Sequence, residues 1–152
     1  MNDNITKQTL TMHGSMQAKL TKADGSVELR KKGNLIVNVG FDLIIDAIGA
    51  TSARPAIISH IATGTGTVAA AAGDTTLGTE LNRQAATFAH TASTKVFTMT
   101  ASFAAGVSTG AITESGVLNA ATTGILLDRV VFPVINKGLD DSLDITFTFT
   151  LS

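Results

Sequence analysis

The chain has 152 residues, of which 44% are hydrophobic and only 15% charged, with a formal net charge of −1 and no cysteine, tryptophan or tyrosine. That length suits one domain with a real core. The missing cysteines exclude disulfides, zinc–thiolate sites and thiol catalysis, and near-neutrality gives non-specific nucleic-acid binding little electrostatic support.

An average soluble domain is about 25% charged, so neutral Thr, Ser, Ala and Gly must make much of this surface. Such a surface is dry enough to assemble. The 23 threonines favour strand over helix, because Thr is β-branched and stiff at χ1. The N-terminal residues MNDNITKQTL lack the basic start and apolar core of a signal peptide. No apolar run approaches the roughly 20 residues a membrane helix needs. The expectation is a chain kept soluble in the cell that makes it, with no membrane partner.

In chain order, residues 1–8 are polar and read as a flexible arm, and 9–152 as a single domain. Leu10, Met12, Met16, Ala18 and Leu20 fall on one face of a strand, with Gly14 marking a bulge or a close approach. Asp24-Gly25 signals a hairpin turn of type I′, returning through Val27–Arg30. Lys31-Lys32-Gly33-Asn34 reads as a second turn before an apolar strand, Leu35–Val39. The period then changes: Phe41, Ile44, Ile45 and Ile48 mark one face of a short helix over about 41–48, with Asp42 near its start and Gly49 at its close. This helix is expected to lie across a sheet and cap the core.

Thr51–Pro55 is a loop and Ala56–Thr63 a strand. Gly64 to Gly73 reads as an exposed loop of small residues, with Asp74 placed to cap a short turn. Phe88–His90 and Lys95–Phe103 form a hairpin pair, and Gly106–Gly110 a turn. Ala111–Asn119, Gly124–Pro133 and Leu143–Leu151 are the last strands. In the final one, Leu143, Ile145, Phe147, Phe149 and Leu151 alternate with polar residues, the period of a half-buried strand. About eight to ten short strands and one helix predict an all-β antiparallel sandwich rather than a parallel α/β sheet.

Little in the chain points to chemistry. His13, His60 and His90 have no metal-ligand spacing, and no Gly-x-Ser-x-Gly elbow accompanies the serines. Gly64-Thr65-Gly66 lacks both the third glycine of a dinucleotide fingerprint and the Gly-Lys-Ser/Thr ending of a P-loop. Asp140, Asp141 and Asp144 lack EF-hand spacing and read as a polar turn. No cofactor and no catalysis are expected. Glu114 and Arg129 differ, each a lone charge in an apolar strand. A buried lone charge costs several kcal/mol unless paired, so Glu114 is expected to pair with Arg129 or with Arg83 and fix strand register. Six of the eleven Lys/Arg (Lys7, Lys19, Lys22, Arg30, Lys31 and Lys32) lie within residues 1–35. They read either as charges that block pairing at a strand edge or as a docking surface for an acidic protein.

Three segments, NLIVNVGFDLIIDAI (34–48), IATGTGTVAAAAGDTTLGTELNR (61–83) and GAITESGVLNAATTGILLDRVVFPVINKGLDDSLDITFTFTL (110–151), resemble small virion proteins of tailed bacteriophages. The shared features are a Gly-Thr-Gly-Thr loop, an Asp-Thr-x-Leu-x-x-Glu-x-x-Arg stretch, a Thr-Glu-x-Gly segment, a Leu-x-x-Arg-x-x-Phe strand and an alternating closing strand. Similar modules occur as capsid decoration (cement) proteins and in tail-fibre or baseplate proteins. The resemblance implies a jelly-roll-like sandwich assembled as a homotrimer. A compact domain with a polar arm suits the decoration role, on the capsid exterior against the major capsid protein after synthesis in the host cytoplasm, with a tail-fibre, tail-tip or baseplate component as the alternative. The absence of a repetitive shaft favours decoration over a fibre. The absence of Trp and Tyr speaks against a sugar-binding receptor.

Overall fold

Strand periodicity governs the structure. The computed structural model describes residues 7–152. Its elements are β1 (Met12–Thr21), β2 (Val27–Ile36), α1 (Asn38–Gly49), β3 (His60–Gly64), β4 (Glu80–Ala85), β5 (Thr87–His90), β6 (Val96–Phe103), β7 (Gly110–Leu118), β8 (Leu126–Lys137) and β9 (Ser142–Leu151). Of the expected arm, residues 1–6 lie outside the described residues, and Lys7 and Gln8 are exposed ahead of β1. The chain adopts the expected class, an all-β, jelly-roll-like antiparallel sandwich with one short helix.

The nine strands run in the order β4-β3-β7-β8-β2-β1-β9-β6-β5, and every neighbouring pair is antiparallel. The two ends of this order, β4 and β5, are separated in sequence by Ala86 alone, whose N–H donates to the Ser59 carbonyl at 2.8 Å. The chain therefore steps from one end of the sheet to the other, and the sheet nearly closes on itself. Closure leaves few open edges, the feature that makes sheets aggregate.

β9 lies at the centre of one layer. Met16, Phe147 and Met99 stand in register across β1, β9 and β6. Leu143, Ile145, Phe147 and Phe149 are fully buried, while Leu151 is half-exposed. The Phe97 and Phe149 rings stack with centroids 4.8 Å apart. These side chains meet Ile112 and Val117 of β7 and Val130, Phe132 and Ile135 of β8 in one core. Burying each large side chain contributes at most about 1.5–3 kcal/mol.

Several local expectations change. The β1–β2 hairpin turns through Ala23-Asp24-Gly25, but only Gly25 has positive φ, at 85°. Gly25 N–H donates to Lys22 O and Lys22 N–H to Ser26 O, both at 2.9 Å. The turn is thus of type I followed by a left-handed glycine, rather than type I′. Lys31-Lys32-Gly33-Asn34 is no turn; it continues β2, held in unbroken register with β1 from Val27 opposite Thr21 to Asn34 opposite Gly14. Gly14 makes no bulge. It leaves room for the Asn34 side chain, which any Cβ there would strike. Leu10 stays outside β1 and is exposed. Only the last part of the Ala56–Thr63 segment is strand. β8 runs through Pro133, where its rungs with β7 skip from Val131 to Ile135, so the missing proline N–H costs no hydrogen bond.

The helix starts earlier than expected and turns a different face inward. Gly40 and Leu43 are buried, and a Cβ on Gly40 would collide with the Leu127 carbonyl. The absent side chain lets α1 lie directly on β8. As a result Phe41, Ile45 and Ile48 are 45%, 64% and 79% exposed. Of the four residues of the apolar stripe, Ile44 alone packs against the core and the other three face outward.

Candidate functional site

The densest polar arrangement among the described residues surrounds Glu114. This side chain is fully buried on β7, and Gly64 of β3 stands opposite it. Its Oε1 accepts hydrogen bonds from the backbone N–H of Gly66 at 2.9 Å and of Thr79 at 2.7 Å. Its Oε2 accepts from Gly78 N–H and from Arg129 Nε, both at 2.9 Å. Arg129, on the neighbouring β8, is itself buried. Its Nη1 lies 2.8 Å from Asp74 Oδ2, and its Nη2 donates to the Val68 carbonyl at 3.0 Å. The Thr113 hydroxyl donates to Gly66 O at 2.8 Å.

The loop between β3 and β4 is thus tied to the sheet from both sides. A Cβ on Gly66 would come within 2.5 Å of Glu114 Oε1, so this approach to the carboxylate requires glycine at position 66. The cradle around this carboxylate takes one backbone N–H from the Gly-Thr-Gly loop, that of Gly66, and two from Gly78 and Thr79. Burial pushes the Glu114 carboxyl up, but the N–H donors of Thr79, Gly78 and Gly66 and the Arg129 guanidinium outweigh it, leaving the pKa below the usual range. Burial likewise raises Asp74, which Ala71 N–H and Arg129 overcome. Burial lowers Arg129, and its two carboxylate partners more than offset that. The charges are saturated by one another, so the cluster acts as a clamp.

Of the expected pairings, Glu114 and Arg129 are brought together, 2.8 Å apart at Nη2 and Oε2. Arg83 is not their partner. It stands on β4, across β3 from Gly116 rather than from Glu114. There Glu80 takes its Nε and Nη2 at 2.9 and 2.8 Å, and its Nη1 donates to Ala120 O and Thr123 O at 2.8 and 2.7 Å. Arg83 pins the loop between β7 and β8.

The six basic residues do not share one face. Lys19 and Lys31 project from the outer side of β1 and β2, and Arg30 and Lys32 alternate to the other. Glu28 lies 2.6 Å from Lys22 and 3.5 Å from Arg30. Lys7 is exposed ahead of β1.

The histidines stand apart. His13 is exposed on β1, His60 Nδ1 lies 2.8 Å from the Ser59 hydroxyl, and His90 Nδ1 lies 2.8 Å from Val96 O. Asp141 accepts from Gly138 N–H in its own turn and from Ala23 N–H in the β1–β2 turn, and Asp144 accepts from the Ser102 hydroxyl. Among the described residues no three His, Cys, Asp or Glu side chains gather to hold a metal ion, and no helix is long and apolar enough to cross a membrane.

Two buried charged residues escaped the sequence reading, Lys137, whose Nζ donates to the Ala104 carbonyl at 2.9 Å, and Asp128. Asp128 is fully buried, accepting from Val117 N–H at 3.0 Å and from the Asn34 amide. Burial pushes its pKa up to about 7, against the opposing pull of those two donors. Asn34 Oδ1 is also buried and lacks a partner. Asp128 stands in the same apolar strand as Arg129, so the criterion that singled out Arg129 applies to it as well, and alternation sends the two side chains to opposite faces.

Among the described residues an apolar face is also left unpartnered. Beside the α1 stripe, Ile57 and Phe88 are 81% and 55% exposed. A groove of about 910 Å³ runs between α1, the 54–58 segment and the ends of β5, β6 and β9. No protein family, curated protein or solved structure matches the chain.

Proposed function

We propose that this chain is a structural protein of a tailed bacteriophage, a decoration protein that covers the capsid exterior as a homotrimer and ties neighbouring copies of the major capsid protein together. The observation that carries this reading is the broad exposed apolar surface on a small, nearly neutral sandwich. Monomeric proteins rarely leave contiguous apolar patches beyond a few hundred Å² unless something binds there. The role requires no catalysis and no cofactor. The segments that resemble phage proteins include Gly66, Asp74, Gly78, Thr79, Glu114 and Arg129, so the likeness falls on the residues of the clamp. Many copies on one lattice turn weak single contacts into a shell that resists internal DNA pressure.

The test is cosedimentation of purified protein with empty capsids that lack it. Saturable binding, together with a rise in the temperature at which the shells rupture, is expected. Binding to purified tails but not to shells contradicts the capsid assignment.

A further inference from the structure

The seam between the two layers carries a titratable group that the Glu114 clamp does not use. β8 and β2, where β4-β3-β7-β8 meets β2-β1-β9-β6-β5, share only two rungs, Leu35 with Arg129 and Ile36 with Asp128. By contrast, β2 pairs with β1 without a break from Val27 to Asn34. Just past the last rung of the seam, Asn34 Nδ2 donates to Asp128 Oδ2, and Asp128 Oδ1 accepts from Val117 N–H at 3.0 Å. One carboxyl group on β8 therefore ties β2 and β7 together where the backbone ladder is shortest.

Among the described residues no charge faces this carboxyl. Gly14 of β1, Ile36 of β2 and Val117 of β7 surround it. The nearest charges on these strands are turned away or exposed: Arg129 and Glu114 pair on the opposite face of β8 and β7, and His13 and Lys32 are exposed. On α1, which lies on β8, Asp42 and Asp46 are exposed too. A buried carboxylate without a counter-charge is costly, and a proton removes the charge. Burial accordingly pushes the Asp128 pKa up to about 7. The neutral acid can donate through its O–H, whereas the carboxylate only accepts. Asn34 can answer either form, because its amide has an oxygen at one end and N–H groups at the other. Nothing anchors the second end, since Asn34 Oδ1 is buried and lacks a partner. A Cβ at position 14 would strike both ends of the amide, so Gly14 leaves it the room to reverse.

We infer that Asp128 and Asn34 form a proton-operated latch across the β2–β8 seam. With the carboxyl neutral, its O–H donates to Asn34 Oδ1 and the seam is held shut. With the carboxyl charged, the amide is reversed, Nδ2 donates instead, and an uncompensated charge makes β2 and β8 easier to part. The latch lies within one chain and does not depend on the capsid reading.

The experiment is NMR of the isotope-labelled full chain across a pH series. The Asp128 carboxyl carbon is expected to titrate near neutrality, and the Asn34 side-chain NH₂ resonances to shift with the same midpoint. Hydrogen exchange on the same samples, corrected for its intrinsic pH dependence, reads the seam through the Val37 and Val117 amides, which donate to Leu127 O and Asp128 Oδ1. These two should open more readily than the β9 core. The open form releases the proton above about pH 3.8 and the closed form holds it to about pH 7. Opening should therefore grow by up to about tenfold per pH unit within that window and level off above it. Asp128→Asn should abolish the rise. A wild-type Asp128 that titrates in the ordinary carboxylate range overturns the latch, as do Asn34 resonances that ignore its titration or seam amides that open only together with β9. All three are read in wild type, so the test stands even where Asp128→Asn fails to fold.

Discussion

Replacing Glu114 by glutamine keeps the shape of the clamp and removes its charge. Glu114 is fully buried and accepts four hydrogen bonds at 2.7–2.9 Å, three from backbone N–H groups and one from Arg129 Nε. In Glu114→Gln the amide can accept through one oxygen only, and its NH₂ confronts N–H donors on the other side. Arg129 keeps Asp74 and the Val68 carbonyl but loses its buried counter-charge. Breaking one side of a buried ion pair costs about 3–5 kcal/mol, a large part of the roughly 5–15 kcal/mol that holds a domain folded. At about 2–4 °C per kcal/mol for a chain of this size, the melting temperature should fall by about 6–20 °C. Thermal unfolding by circular dichroism reads the global loss, and hydrogen exchange at the Gly66, Gly78 and Thr79 amides reads the local one. Those three amides should exchange faster than the β9 core. A variant within about 1 kcal/mol of wild type, with protection at the three amides intact, would refute the clamp. A Glu114→Met/Arg129→Met chain should recover part of the loss, because apolar replacement of a whole buried pair is often tolerated.

Three further outcomes follow from packing and burial. Gly66→Ala sets a methyl 2.5 Å from Glu114 Oε1, so it should destabilise by about 1–3 kcal/mol in chemical denaturation, and much less in a Glu114→Ala background. Phe147→Ala, in the fully buried centre of β9, should cost about 3–5 kcal/mol; a smaller loss would mean that the two layers collapse into the space. Asp128 has a folded pKa of about 7 against an ordinary 3.8, so the native chain holds a proton that the unfolded chain has released. Its contribution is fully present below about pH 3.8 and is lost as pH rises to about 7, at up to about 1.4 kcal/mol per pH unit. Denaturation midpoints measured between about pH 5 and pH 8 should fall for wild type and flatten for Asp128→Asn; equal slopes for the two chains would contradict this.

The fold was readable where one face of a strand is wet. β6 and β9 alternate cleanly, and both lie where the alternation puts them. β7 and β8 read less well, since Glu114–Leu118 and Leu126–Val130 are buried on consecutive residues under α1 and the loop before β4. The helix was found by its period and lies on the sheet as expected, but of its apolar stripe only Ile44 reaches the core, and the closest approach falls at Gly40 and Leu43. Periodicity sees large apolar residues, whereas the close approach at Gly40 depends on a missing side chain. The Glu114–Arg129 pair was visible because lone charges stand out in apolar strands. The backbone donors to Glu114 were not, because N–H groups leave no mark in sequence, and Asp74 reads there only as a turn cap. Lys31-Lys32-Gly33-Asn34 looked like a turn by composition, but a full ladder with β1 overrides local preference.

The claim that this is a capsid-decorating assembly protein meets its most direct test on intact virions. Antibody or gold labelling of purified particles should cover the capsid faces in many regularly spaced copies and spare the tail. Label confined to the tail or its fibres, or particles that carry none, would contradict it.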